Sequence, residues 1–194
     1  MTWPINFTDV NDARKRIAPL LTETAARKYP VLDELLGHEL KLWVKHENHQ
    51  PTGSFKIRNG LSAGTALSAS ERRRGLIAAS RGNHGQGVAY AGKLLNIPVT
   101  NCVPKGNSAS KNRAMRKLGA TLIEEGADYD ESVLYALELA DRDGITMVHS
   151  TNNDSVIAGA GTIALEFLEQ VPQLDVLIGA VGGGSLAVGP LTVA

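Results

Sequence analysis

The chain has 194 residues, enough for one full domain or for two small ones. Its 20 Lys and Arg residues balance 20 Asp and Glu residues, so no net charge favours nucleic acid or an anionic membrane surface. The single cysteine, Cys102, excludes an internal disulfide and a cysteine-rich metal site, and its apolar neighbours predict a buried strand residue. No signal peptide is recognisable, and no apolar run approaches the roughly 20 residues needed to cross a bilayer. We therefore expect a cytoplasmic protein, and we identify no metal site.

The first 45 residues predict two helices and a strand. An apolar-periodic stretch that opens at Asp9 predicts the first helix. Pro30 at the start and Gly37 just past the end predict a short second helix over 30–36. Residues 40–45 largely alternate apolar and polar side chains, which is typical of a strand.

From residue 75 onward, predicted strands and helices alternate. The strands cover 75–80, 99–103, 121–124, 146–149 and 174–179, and the helices cover 84–95, 108–118, 128–143 and 154–169. The third of these helices starts at Asp128 in a sequence that resembles a capping box, whereas residues 72–74, three arginines, predict a solvated loop. Helices that follow strands through short connections indicate βαβ units and a parallel sheet.

A lysine at the start of a predicted helix is the first candidate for chemistry. Pro51 and Gly53 interrupt the preceding strand, and Ser54 is a suitable N-cap for a helix through 57–66. Lys56 then lies in the first turn, where the positive end of the helix dipole disfavours an ammonium group and favours a nucleophilic neutral amine. The alternative is an ordinary surface lysine that happens to begin a helix.

A second candidate segment, 80–87, connects a predicted strand to a predicted helix. Its small residues let the backbone approach a ligand closely, and the unpaired N–H groups of the following helix can hold a carboxylate. Asn83 offers a donor and an acceptor in one amide. For His84 two alternatives stay open, a packing or capping residue at the helix start and a substrate contact.

A third segment, 181–186, contains three consecutive glycines after a predicted strand. Successive backbone N–H groups there form a cradle for a phosphate. Residues 182–187, which overlap this segment, and residues 159–164 also fit the G-x-G-x-x-A dinucleotide pattern. Residues 159–164 lie in a predicted helix rather than after a strand. Residues 182–187 have no acidic residue about 20 positions later. A nicotinamide dehydrogenase is therefore disfavoured.

Together, segments 51–56, 80–87 and 181–186 resemble the fold-type II pyridoxal-phosphate (PLP) enzymes, in the threonine dehydratase and serine racemase branch. The resemblance implies that Lys56 forms the Schiff base with PLP, that Phe55 packs by the cofactor ring and that Asn83 contacts the ring 3′-oxygen. The residues implied for the phosphate are Gly182, Gly183, Gly184 and Ser185, with Ser185 in place of the usual fourth glycine. The resemblance implies that Ser80 and the loop backbone at Gly82 hold the substrate carboxylate, and Arg81 and His84 are further candidate substrate contacts.

The sequence departs from this family in two further ways. At position 81 serine racemases have a serine that acts as acid and base, and Arg81 cannot replace it because arginine stays protonated. Elimination is therefore favoured over racemisation, and Arg81 either pairs with a substrate carboxylate or lies at the surface. Family members also continue well beyond the phosphate loop, so we expect a C-terminally truncated chain that lacks the partner of the pyridine nitrogen.

The expected fold is α/β, similar to the tryptophan synthase β subunit, with two open parallel-sheet domains. The larger, incomplete domain would comprise 1–58 and 149–194, the smaller βαβ domain 59–148, and PLP would lie between them. The resemblance implies α,β-elimination of a β-hydroxy amino acid such as L-threonine or L-serine to a 2-oxo acid and ammonia. 3-Hydroxyaspartate is a variant substrate, because Arg81 could bind its second carboxylate. Alternatives are PLP-dependent β-replacement, a racemase, or a catalytically inactive fragment. The full-length protein is expected to be a homodimer or homotetramer that binds a small amino acid and neither nucleic acid nor a membrane.

Overall fold

The computed structural model describes residues 3–37 and 39–194, and its N-terminal part combines helices with a small antiparallel sheet. The elements in chain order are α1 (Phe7–Ile17), β1 (Ala26–Lys28), α2 (Pro30–Leu35) and β2 (Trp43–Lys45). Strand β1 pairs antiparallel with β2. Strand β1 is absent from the sequence prediction, because residues 26–28 show no apolar alternation and are a strand only through their pairing with β2.

Two helices follow this sheet, α3 (Lys56–Ala66) and α4 (Ala69–Arg74). Helix α3 matches the prediction closely. The prediction of a loop for 72–74 is wrong, because these arginines form the last turn of α4. That helix begins at a capping box between Ser68 and Glu71. The arginines lie at the negative end of the α4 dipole, where positive charge is stabilising.

The central layer is a parallel sheet, as predicted. In chain order its strands are β3 (Leu76–Ala79), β4 (Val99–Val103), β5 (Thr121–Glu124) and β6 (Thr146–Met147). The connecting helices are α5 (Asn83–Leu95), α6 (Ala109–Lys117) and α7 (Tyr129–Asp143). The strand order is β5-β4-β3-β6, and every pairing is parallel. Asp128 caps α7 by accepting from the Glu131 N–H, whereas the Glu131 carboxylate accepts from Ala127, so the predicted capping box forms only in part.

Both faces of the sheet are covered. On β3, Leu76 and Ala78 pack in one apolar cluster with residues of α5, while Ile77 and Ala79 pack in another with residues of α7. All four side chains are buried, as is usual for a central parallel strand. Cys102 of β4 is buried as predicted, and burial raises the pKa of its thiol to about 11.

The C-terminal part contains helices α8 (Asp154–Gln170) and α9 (Ser185–Leu191). The strand predicted at 174–179 is wrong: these residues have no regular secondary structure, and Val176 and Ile178 are 70% and 90% exposed. A strand needs a neighbour for its backbone hydrogen bonds, and no strand in the described ranges pairs with this segment. The second parallel sheet is therefore not formed by the described residues, whose other sheet is the antiparallel pair β1–β2. No helix of the described chain is long and apolar enough to span a bilayer.

Glycines bring α3 close to its neighbours. A Cβ atom at Gly60 would lie 2.4 Å from the Gly87 carbonyl oxygen, and one at Gly87 would lie 2.2 Å from the Lys56 carbonyl oxygen. A Cβ at Gly159 of α8 would lie 2.6 Å from the carbonyl oxygen of Arg58. No side chain fits at these contacts, so glycine lets the first turns of α3 pack directly on α5 and α8.

A buried charge network fixes the same turns of α3. The Arg58 side chain is fully buried; Nε donates to Glu47 at 2.8 Å, and both terminal nitrogens donate to Glu166 of α8 at 2.7 Å. Lys45 of β2 donates to the same Glu166 at 2.9 Å. Burial opposes ionisation of Glu166, but hydrogen bonds from Arg58 and Lys45 outweigh it and keep the pKa of Glu166 below its ordinary value. The network thus joins α3, α8, β2 and the turn at 47–49.

We predict that Glu166→Gln destabilises the fold strongly. The variant keeps the shape of the side chain but leaves two buried cations with fewer acceptors, which costs about 3–5 kcal/mol in comparable sites. Glu169→Gln is the matched control, because Glu169 pairs with Arg14 in a more exposed position and should lose at most about 1 kcal/mol. Urea unfolding followed by circular dichroism measures both. Equal losses in the two variants would contradict the structural role of the network.

Candidate functional site

Lys56 lies where three distant parts of the chain meet. Its Nζ donates to the Ser150 carbonyl oxygen at 3.2 Å and to Ser185 Oγ at 3.3 Å, and it lies 5.0 Å from the centre of the Phe55 ring. The structure therefore brings together the predicted lysine, the predicted aromatic neighbour and the end of the glycine segment.

The Lys56 amine is partly withdrawn from water. Burial lowers the pKa of Lys56 and so increases the fraction of neutral, nucleophilic amine. Lys56 lies in the first turn of α3, as expected from the sequence, and is the first residue of that helix. The physical cause of the lowered pKa is desolvation, whereas the sequence argument relied on the helix dipole.

The prediction for Ser54 is wrong. Helix α3 is preceded by Phe55 as N-cap, with no side-chain capping bond, because the helix begins one residue too late for Ser54 to cap it. The Ser54 hydroxyl is instead buried, and it has no hydrogen-bond partner among the described residues. It is a free polar group close in sequence to Lys56.

The glycine segment ends beside Lys56, at Ser185, and has open Cβ positions at two of its glycines. A Cβ atom at Gly182 or Gly184 would meet no atom within 4 Å, whereas one at Gly183 would lie 2.1 Å from Thr151 Cγ2. Gly184 has φ +107°, a conformation that favours glycine, and Ser185 follows as the first residue of α9. The segment thus forms a tight turn before α9, and the successive backbone N–H groups of such a turn suit an anionic group.

The segment at 80–84 forms the junction between β3 and α5. Ser80 is buried, and its Oγ accepts from the Gly82 N–H at 3.1 Å. The side chains of Arg81 and Asn83 are exposed at the start of α5. The contact of Gly87 with the Lys56 backbone brings this junction next to α3. No described contact joins Arg81 or Asn83 directly to Lys56.

His84 is a buried neutral residue. Its Nε2 lies 2.8 Å from the Val148 carbonyl oxygen, which makes Nε2 the protonated nitrogen, and Nδ1 is buried with no partner in the described part of the chain. Burial lowers the pKa of His84 to about 4, and the nearby positive charge of Lys56 adds to the effect. Of the two alternatives from the sequence, this geometry supports packing at the helix start.

Two contacts of the site were not expected from the sequence. Asn59 is fully buried and its Nδ2 donates to Ser185 Oγ at 3.4 Å. Its position three residues after Lys56 places it on the same side of α3, a spacing that could have identified it. Ser150 gives no such signal, because only the folded path of the chain brings its carbonyl to Lys56.

The chain is similar to known proteins of one family. A family model described as "Pyridoxal-phosphate dependent enzyme" matches residues 17–193. The L-threonine ammonia-lyase of Thermotoga maritima is 42% identical over 185 residues, which cover 95% of this chain and 46% of that protein. A catabolic L-threonine dehydratase of Staphylococcus aureus is 37% identical over 188 residues, which cover 97% of this chain and 54% of that protein.

A solved structure extends the similarity to the fold. Maize serine racemase superposes with a TM-score of 0.93 and 31% sequence identity, covering 97% of this chain and 56% of that chain. The chain spans about half the length of the curated relatives it matches. The family match over most of the sequence, together with the parallel sheet and the lysine beside a glycine turn, shows that the chain belongs to the pyridoxal-phosphate dependent enzymes.

Proposed function

We propose that this chain holds PLP at Lys56 and that its protein catalyses α,β-elimination of a β-hydroxy amino acid to a 2-oxo acid and ammonia. L-threonine and L-serine are the proposed substrates. The observation that carries the proposal is the position of the Lys56 amine, 3.3 Å from Ser185 at the end of the glycine turn. The names of the relatives, L-threonine ammonia-lyase and L-threonine dehydratase, support the reaction class.

The residues present fit the cofactor. Lys56 would hold PLP covalently through Nζ, and the Phe55 ring would lie beside it. The open Cβ positions at Gly182 and Gly184 leave room for the phosphate, which the backbone N–H groups of 182–185 would bind. The amide of Asn83 would contact the 3′-oxygen. When bound, PLP supplies an acceptor for the electron pair released as the substrate loses its α-proton.

Residues of this chain would remove the α-proton and bind the substrate. We assign the removal of the α-proton to Lys56, because burial favours the neutral amine that acts as base. The ammonium formed would find acceptors at Ser150 O and Ser185 Oγ. Ser80 and the backbone at Gly82 would bind the substrate carboxylate, and the exposed Arg81 would be free to bind a second carboxylate in a substrate such as 3-hydroxyaspartate.

Two competing functions remain to be tested beside elimination. A racemase needs an acid–base group opposite the lysine, and Arg81 is unsuited to that role. β-Replacement would use the same lysine together with a second substrate, which elimination does not need. A different class is a catalytically inactive fragment, for which the exposed apolar residues Val176 and Ile178 are the supporting observation.

In the domain arrangement we propose, the parallel sheet belongs to the smaller domain of 59–148, and PLP lies where this domain meets the larger domain of 1–58 and 149–194.

We predict that the purified chain mixed with PLP develops a visible absorbance band, which borohydride abolishes while it fixes the cofactor to Lys56. Peptide mass spectrometry locates the modified lysine. Lys56→Ala should lose the band, and Lys93→Ala, which removes an exposed lysine of α5, should keep it. Labelling spread over several lysines without a band would contradict a specific site at Lys56.

We predict that the PLP-loaded chain converts L-threonine or L-serine to a 2-oxo acid and ammonia, and that Lys56→Ala abolishes the conversion. Trapping the 2-oxo acid as a hydrazone measures elimination, and chiral chromatography of the remaining serine measures racemisation. D-serine formed faster than the 2-oxo acid would contradict elimination as the main reaction. PLP fixed on Lys56 without either product would support the inactive alternative.

We predict that His84 makes the fold less stable as the pH falls. Its pKa is about 4 in the folded chain and about 6.5 when unfolded, so between these values only the unfolded chain takes up the proton. The free energy of unfolding of the wild type, measured relative to that of His84→Gln, should fall by on the order of 3 kcal/mol between pH 6.5 and pH 4. Urea unfolding at several pH values measures it. A difference independent of pH would contradict a buried neutral His84.

A further inference from the structure

We infer that Ser185 and Asn59 form a positioning pair that holds the Lys56 amine beside the glycine turn whenever that amine is not bound to the cofactor. The inference rests on the proposed function and adds two residues to it. The resemblance to the family assigned Ser185 only a contact with the phosphate and assigned Asn59 nothing.

The contacts converge on one oxygen atom. Ser185 Oγ lies 3.3 Å from Lys56 Nζ and 3.4 Å from Asn59 Nδ2. Ser185 is 3% exposed and Asn59 is fully buried, so water does not compete freely for these groups. When Lys56 is protonated, its ammonium group and the Asn59 amide NH₂ group can only donate, so the Ser185 oxygen accepts both hydrogen bonds.

This arrangement fixes the direction of the Ser185 hydroxyl hydrogen. A serine hydroxyl has two acceptor lone pairs and one hydrogen, and both lone pairs are occupied here. The hydrogen must then point away from Lys56 and Asn59. The Ser185 hydroxyl can therefore accept a hydrogen bond from Lys56 and at the same time donate its own hydrogen to a bound ligand. A glycine at position 185 can do neither.

Asn59 has an unusual environment that this role explains. Its Oδ1 is buried without a hydrogen-bond partner among the described residues, which is costly for an amide. The fold keeps the amide in place although an apolar side chain would avoid that cost. The hydrogen bond to Ser185 is the described contact through which Asn59 reaches the lysine.

The pair also affects the reactivity of the amine. Burial favours the neutral form of Lys56, whereas acceptors at Ser185 Oγ and Ser150 O favour the ammonium form. Removal of the Ser185 hydroxyl leaves one of these two acceptors, so the amine becomes more often neutral and less restrained. Both changes make Lys56 more reactive towards an acylating reagent.

The test is competitive acetylation of the cofactor-free chain with limiting acetic anhydride at one mildly alkaline pH. Mass spectrometry compares acetylation of Lys56 with that of the exposed Lys93 in the same sample. Ser185→Ala should raise the Lys56-to-Lys93 ratio about tenfold or more, as expected for the loss of one hydrogen bond to a charged group. Asn59→Ala should raise it by less, and the double variant should match Ser185→Ala, because Asn59 acts through Ser185.

Ser62→Ala is the matched control, because Ser62 is a buried serine of α3, the helix that carries Lys56 and Asn59. This variant should leave the ratio unchanged. Circular dichroism checks that each variant folds, and Ser185→Gly replaces Ser185→Ala if the latter does not. A ratio unchanged in the Ser185 variants, or full additivity in the double variant, would overturn the inference. Failure of the proposed function is read separately, from the absence of a PLP band in the wild type.

Discussion

Arg58 carries a positive charge into the interior of the protein, and the surrounding structure is arranged to neutralise it. A guanidinium group without water must find acceptors on most of its N–H groups, and Glu47 and Glu166 supply them from two different parts of the chain. Lys45 adds a second cation on Glu166, so two positive and two negative side chains share one buried site. Because Arg58 lies one half-turn after Lys56, this network also fixes the start of α3 and the base of the lysine side chain.

The site follows from where α3 is held. Its glycine contacts with α5 place the 80–84 junction next to Lys56, and its packing on α8 places it near the chain that returns through 182–185. The lysine then meets Ser185 at hydrogen-bond distance although 129 positions separate them in the sequence. Burial at this meeting point increases the fraction of Lys56 present as the neutral amine, the form that acts as base and nucleophile, while Ser150 and Ser185 restrain it. Stability and chemistry are therefore coupled through the first turns of one helix.

Local sequence patterns predicted correctly those helices and strands whose structure depends mainly on residues close in sequence. The strands at 99–103 and 121–124 have the predicted bounds, and Lys56 begins its helix as expected. Prediction failed where a distant partner decides: residues 26–28 become a strand through pairing with β2, and 174–179 does not become one because no described strand pairs with it. The structure brings the predicted residues Lys56 and Ser185 into contact, but the contact of Asn59 with Ser185 arises only from the packing of α3 against the glycine turn.

An experimental structure of the chain with PLP tests the central claim most directly, namely that Lys56 and the glycine turn hold one cofactor together. We predict continuous density from Lys56 Nζ to the cofactor, with the phosphate within hydrogen-bond distance of the backbone N–H groups of 182–185. A cofactor bound to another lysine, or a phosphate bound away from this turn, would contradict the assignment of the site.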